Sequence, residues 1–243
     1  MSLLEQTWGT WLNVGTVLVG GSLGLLLRGR LPGRVTLVVM QAIGLVTLLI
    51  GVVNALDLTR VASPPGILVG LLALALGGAR GEWWGIEDGL ERLGERLKRA
   101  LRGQGRFSEG FVAASLLFCV GPLTLLGSIQ NGLTGEAPFL VLKSTLDGFS
   151  SLALATTFGF GVLGSVAVIA VYQGALSLAA GLFASLIPDP ATDPHVLLLN
   201  GVGGLMILGL GFGLLEIKRL RVASLLPALL LAPLIYWLAG RLL

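Results

Sequence analysis

Lys143 and Asp147 stand four residues apart in an otherwise apolar stretch, so a helix would place an ammonium and a carboxylate on one face. Ser144, Ser150 and Ser151 extend that polar face, and Thr157 follows further along. Each charge would cost about 2.5–3.5 kcal/mol at the centre of a bilayer on insertion scales, so ionisable residues at that depth face a pathway or a partner. Two chemistries fit the pair: a polar site that binds a solute or ion, with Asp147 two turns inside the helix, or a structural salt bridge with Lys143 snorkelling to the outer surface.

A second polar locus precedes it. Phe118-Cys119-Val120-Gly121-Pro122 places a proline within an apolar run, where it removes a backbone hydrogen bond and clashes with the preceding turn. The sequence Gly127-Ser128-Ile129-Gln130-Asn131-Gly132 follows, polar enough for the segment to unwind or re-enter. Irregular backbone at membrane depth is tolerated only against protein or a water-filled cavity. Pro122, Gln130 and Asn131 therefore join Asp147, Lys143 and the serines as candidate substrate- or ion-binding residues. Gln41 and Asn200 are added because they hold comparable places in two related segments, and they are expected to meet at an axis. Asn54, Tyr172 and Gln173 read as hydrogen-bonding glue between helices.

Enzyme signals are poor. His195 stands beside Asp193 and Pro194 without metal-ligand spacing to another His or Cys, and Cys119 is the single cysteine. Phosphate-loop, nucleophile-elbow and zinc-protease motifs are missing from the sequence. No catalytic residue, metal or cofactor is assigned, and the chain is not expected to be an enzyme.

The elements that must position these residues follow from composition. Of 243 residues 54% are hydrophobic and 12% charged, against roughly 25% charged in a soluble domain. Apolar runs recur at the length, about twenty residues, that crosses a hydrocarbon core. The expected spans are 9–28, 35–56, 64–80, 110–133, 139–158, 162–187, 196–215 and 222–240. Gly159, Gly161 and Gly164 supply the turn that splits 139–187, although a re-entrant segment there would alter the count. The first run lacks a basic leader and a small-residue cleavage motif, so it reads as a helix rather than a removable signal.

Short cytoplasmic loops are enriched in Lys and Arg. With the N-terminus outside, only Arg60, Lys143 and Arg241 of the 16 basic residues lie away from the cytoplasm, and both termini face outward. This distribution explains the pI near 9.5 without nucleic acid. Residues 81–107 carry Ile86, Leu90, Leu93, Leu97 and Leu101 at helical spacing opposite Glu91, Glu95, Arg99 and Arg102, as in a cytoplasmic amphipathic helix. Trp83 and Trp84 would meet the headgroups.

An internal repeat is also legible. Gly44-Leu45, Leu48, Gly51 recurs as Gly204-Leu205, Leu208, Gly211, and Arg60-Val61-Ala62-Ser63 recurs as Arg221-Val222-Ala223-Ser224. Spans one to three would match six to eight, and the odd separation makes the copies cross in opposite directions, an arrangement common in transporters.

The fold class expected is therefore all-α, a polytopic membrane helix bundle of about eight transmembrane helices in one domain over 1–243. Its expected partners are the lipid bilayer and a small polar solute or ion; in the scaffold alternative, Gly-rich faces such as Gly20-x-x-x-Gly24 and Gly209-x-x-x-Gly213 pack a homo-oligomer, a homodimer being one form of it. Phe118-Cys119-Val120-Gly121-Pro122, Gly127-Ser128-Ile129-Gln130-Asn131-Gly132, Lys143-Ser144-Thr145-Leu146-Asp147-Gly148-Phe149 and Arg221-Val222-Ala223-Ser224-Leu225-Leu226-Pro227-Ala228 resemble the YqgA-like and YdfK-like family of bacterial multi-pass membrane proteins. The resemblance spans essentially the whole chain. It implies a bacterial inner-membrane protein and supplies neither a substrate nor catalytic residues. The functions in view are a transporter or channel and, alternatively, a non-transporting membrane scaffold.

Overall fold

A computed structural model describes residues 2–30, 32–89, 92, 96, 107–119, 122–180 and 192–242. The described residues form α-helices joined by turns and two short 3₁₀ segments. In chain order the helices are α1 (Leu3–Leu27), α2 (Gly33–Ala55), α3 (Gly66–Trp83), α4 (Phe107–Cys119), α5 (Pro122–Thr134), α6 (Pro138–Phe158), α7 (Gly161–Leu178), α8 (Pro194–Leu214) and α9 (Pro227–Leu242). The 3₁₀ turns, Leu56–Arg60 and Val222–Leu225, precede α3 and α9.

Local chemistry sets the helix ends. Ser2 caps α1 through the Glu5 amide, and the Glu5 carboxylate accepts in return from the Ser2 amide, which satisfies two otherwise unpaired donors. Asp193 accepts from the amides of His195 and Val196, with Pro194 in the first turn of α8. Gly159, at φ +73°, makes the turn between α6 and α7 that a side chain would strain. Arg28 lies over this glycine so closely that a Cβ there would also collide with its guanidinium.

Among the described residues, 6 helices are long and apolar enough to span a membrane, or up to 7 if α4 and α5 are one bent span. Each of the eight expected runs has its helix, but two differ from a plain span. The run 110–133 is divided into α4 and α5, bent by 59° near Pro122. The run 139–158 appears as α6, whose buried Lys143, Ser144, Asp147 and Ser151 reduce its apolar character. The expected amphipathic helix over 81–107 lies mostly outside the described residues. Its first part is described, and Ile86–Gly89 is helical.

The chain divides into two compact units, one of 1–43 with 91–188 and one of 44–90 with 189–243, the division falling inside α2. In the first unit α1 packs along α6 and α7. Gly20 and Gly24 face α6, where a Cβ would strike the carbonyls of Gly148 and Leu152. The expectation that this pair of glycines serves a homodimer is thus corrected: the close approach they permit is already used within the chain. Gly209 is likewise covered, by Leu220 and Val222, while Gly213 has open space beside it.

In the second unit α2 and α8 pack antiparallel through the two copies of the Gly-Leu pattern. Gly51 receives Leu208 and Gly211 receives Leu48, while Gly44 faces Leu215 and Gly204 faces Asn54 and Ala55. Each copy thus offers its glycine to the leucine of the other, the reciprocity expected of a two-fold relation. Along α3, Gly77 admits the backbone of Ala228 at the start of α9, and Gly81 that of Ser224 in the preceding 3₁₀ turn.

Candidate functional site

The polar residues of the first unit gather where α1, α6 and α7 meet. Lys143 and Asp147, one turn apart on α6, are both buried and form a direct ion pair through Asp147 Oδ2. Asn13 of α1 donates from Nδ2 to the same carboxylate oxygen at 2.9 Å and to Oε1 of Gln173 on α7 at 3.2 Å. Asn13 and Gln173 are each 0% exposed. Four side chains from three helices are therefore joined in one hydrogen-bonded chain. Cys119, at the end of α4 beside the bend, is also buried.

The chain of bonds is incomplete. Asn13 Oδ1 and Gln173 Nε2 have no hydrogen-bond partner, and neither do the buried hydroxyls of Thr10, Ser128 and Ser177. Each buried polar group left unmet costs about 1–3 kcal/mol, so native interiors hold few of them. Their concentration on α1, α5 and α7 sets this region apart from ordinary helix packing.

The bent pair contributes through Asn131. Its Oδ1 accepts from the Gly9 amide at 3.1 Å and its Nδ2 donates to the Glu5 carbonyl at 3.0 Å. These are the two backbone groups that a regular helix would pair with each other. Trp8 adds a hydrogen bond to the Gly135 carbonyl at 2.7 Å, fastening the start of α1 to the end of α5.

Two grooves flank α1. One, of about 540 Å³ between α1 and α6, is lined by Trp11, Gly15, Thr16, Ser144, Gly148 and Phe149 among others. The second, of about 480 Å³ between α1 and α7, has Thr7, Thr10, Val171 and Gly174 in its walls.

The expected site residues are thus distributed unevenly. Asp147 and Lys143 come together as anticipated from their spacing. Ser144 bonds back to the Leu140 carbonyl at 2.6 Å, and Ser151 reaches the Val17 carbonyl of α1 at 3.2 Å. Ser150 is half-buried, Gln130 is half-buried with an unmatched Oε1, and Pro122 opens α5. Gln41 is exposed on the face of α2, so its amide does not enter the interior of its unit. Asn200 is buried in the second unit, where its Nδ2 approaches Asp57 at 3.5 Å, a long hydrogen bond. Gln41 and Asn200 belong to different units. Sequence reasoning left out Asn13 and took Gln173 as glue. The available signal was the pair of polar residues Thr10 and Asn13, one helical turn apart within the first span.

A charged cluster closes one end of the second unit. Arg221 pairs with Glu82 at 3.0 Å and with Asp88 at 2.6 Å, while Glu87 accepts from the amides of Ala223 and Ser224. The hydrogen bond that Arg221 donates to Asp88, chiefly, holds its guanidinium above its ordinary pKa. The start of segment 81–107 is thereby tied to the Arg-Val-Ala-Ser turn. Among the described residues, no group of three or more His, Cys, Asp and Glu side chains forms a metal-binding arrangement.

An all-helical chain with several membrane-length apolar helices and a buried polar cluster is a multi-pass membrane protein. Comparison with known proteins agrees: residues 8–237 match the family described as "Protein of unknown function (DUF554)", and the chain belongs to that family. It is 30% identical over 228 residues to "Uncharacterized membrane protein YdfK" of Bacillus subtilis (strain 168), covering 94% of this chain and 95% of the relative. It is 32% identical over 231 residues to "Uncharacterized protein YqgA" of Escherichia coli (strain K12), covering 92% and 94%. No solved structure gives a significant match.

Proposed function

We propose that the protein is a transporter or channel of the bacterial inner membrane for a small polar solute or ion, and not an enzyme. The observation that carries this reading is the set of unmet polar atoms around the Lys143–Asp147 pair. A structural ion pair in an apolar surrounding is stable when its neighbours satisfy one another, whereas these amides and hydroxyls require further partners. The bend between α4 and α5 supports the same reading, since broken helices accompany substrate sites in secondary transporters.

The reciprocal packing of Gly51 with Leu208 and Gly211 with Leu48 supports an inverted repeat, with an axis lying in the membrane plane. Counting α6 and the bent α4–α5 pair as crossings gives eight spans. The basic residues then place 81–107 in the cytoplasm with both termini outside. Impermeant labelling of a cysteine introduced at Arg92 or Arg96 tests this orientation; reaction from outside intact cells would reverse it.

The experiment for function is flux in proteoliposomes beside folded yield in detergent, for Asp147→Asn, Lys143→Met and the double variant. The double variant, free of any stranded charge, is expected to fold and to lose flux. A double variant that folds and retains flux would make the pair a structural bridge. The scaffold reading draws support from Asp147 Oδ2 being shared already between Lys143 and Asn13. It predicts no solute-dependent flux in the native protein, with self-association in a second-copy titration.

A further inference from the structure

We infer that the site takes a net-neutral solute carrying both a hydrogen-bond donor and an acceptor, in preference to a lone ion, and that it is approached along the α1–α7 groove. The inference rests on the transport reading and narrows its substrate class.

The argument starts at Asp147. An ionised carboxylate accepts hydrogen bonds and cannot donate them. Asn13 must therefore turn its NH₂ end toward Oδ2, because the opposite orientation would press two oxygens together. The same Nδ2 reaches Gln173 at 3.2 Å, which fixes Oε1 of Gln173 as the acceptor. The carboxylate thus sets the direction of both amides in turn. What remains is an acceptor on α1, Asn13 Oδ1, and a donor on α7, Gln173 Nε2, both fully buried and both unmatched. A ligand that matches them donates to one and accepts from the other.

Charge decides between the ligand classes. Lys143 and Asp147 neutralise each other, so a lone cation would have to displace the ammonium and a lone anion the carboxylate. Either exchange leaves a buried charge without its partner, which is strongly unfavourable. A neutral or zwitterionic solute leaves the pair intact and adds only hydrogen bonds.

The groove of about 480 Å³ between α1 and α7 is lined by chain neighbours of both amides rather than by the amides themselves, and the proposed approach runs through it. Thr10 in its wall lies one helical turn before Asn13, and its buried hydroxyl has no partner. Gly174, also in the wall, directly follows Gln173, and a Cβ there would meet nothing within 4 Å. A larger side chain at Gly174 can therefore obstruct the groove without displacing a neighbour.

The test uses the full-length protein in proteoliposomes, with urea and zwitterionic glycine as neutral probes and sodium and potassium chloride as ionic ones. Entry of urea or glycine above the rate of protein-free liposomes, with the salts excluded, is the expected result. Gln173→Met, of similar volume, should lower that entry about tenfold at unchanged folded yield, the scale of one lost hydrogen bond, and Gly174→Leu should lower it at unchanged folded yield by obstructing the groove. Salt entry without urea or glycine entry would overturn the inference and leave the transport reading standing. Absence of any entry would overturn both. Full solute entry through folded Gln173→Met would remove the amide from the site and overturn the inference.

Discussion

In the first unit the surface where α1 meets α6 and α7 carries Asn13, Lys143, Asp147 and Gln173, whereas in the second unit the surface where α2 meets α8 is made of Gly44, Leu48, Gly51, Gly204, Leu208 and Gly211. Both kinds of contact bring helices close, but they are stabilised by different physics. Glycine and leucine interlock through van der Waals contact, which operates in lipid as well as in water, so these contacts are satisfied by shape, although Asn200 of α8 also keeps a buried Oδ1 without a partner. The polar surface depends on directional bonds, and several of its atoms have none. A chain whose second unit shows that dry interlocking is available to it keeps an unsaturated polar cluster in the first. The comparison separates a region held by shape from one held by directional bonds.

The largest expected effect is in the polar unit. Lys143→Met or Asp147→Asn alone strands the surviving charge and should lower stability by about 3–5 kcal/mol, with most of it recovered in the double variant. Thermal unfolding in detergent measures all three. Equal and additive losses would show that the two charges are not coupled, and the contrast between the units would fail.

Next comes the packed unit. Gly204→Val brings a branched side chain against the backbone of Asn54 and Ala55 and should cost about 1–3 kcal/mol or more, as overpacking does. The same unfolding assay applies; an unchanged midpoint would mean that the α2–α8 contact yields easily. Asn131→Leu should cost about 1–2 kcal/mol, removing two hydrogen bonds to α1 while keeping apolar contact. Hydrogen exchange at Gly9 should then rise, while exchange in α8 stays as it was.

Smaller still is Arg221→Gln. Its ion pairs are half-exposed, so their contribution should diminish as salt is raised. A loss that is independent of salt would indicate packing rather than charge. The smallest effect belongs to Gly15→Ala on α1, where a Cβ meets nothing within 4 Å. It should leave stability within about 0.5 kcal/mol or raise it slightly through helix propensity.

The amino-acid sequence by itself determined the class of the protein, because lipid demands long apolar helices whose backbone groups are satisfied internally, and that demand is written in composition and run length. It also determined the coupling of Lys143 to Asp147, since four residues on one helix are neighbours whatever surrounds them. The bend near Pro122 and the two copies of the Gly-Leu pattern were legible for the same local reason. Tertiary structure alone decided which distant residues completed the site. Asn13 and Asp147 are separated by 134 positions, Asn13 and Gln173 by 160, and no periodicity along the chain relates them. It also decided that Gln41 is exposed, that Asn200 turns to Asp57, and that Gly20 and Gly24 serve α6 rather than a second copy. Spacing specifies which side chains share a helical face, but which helix that face meets depends on how every other face in the unit is packed.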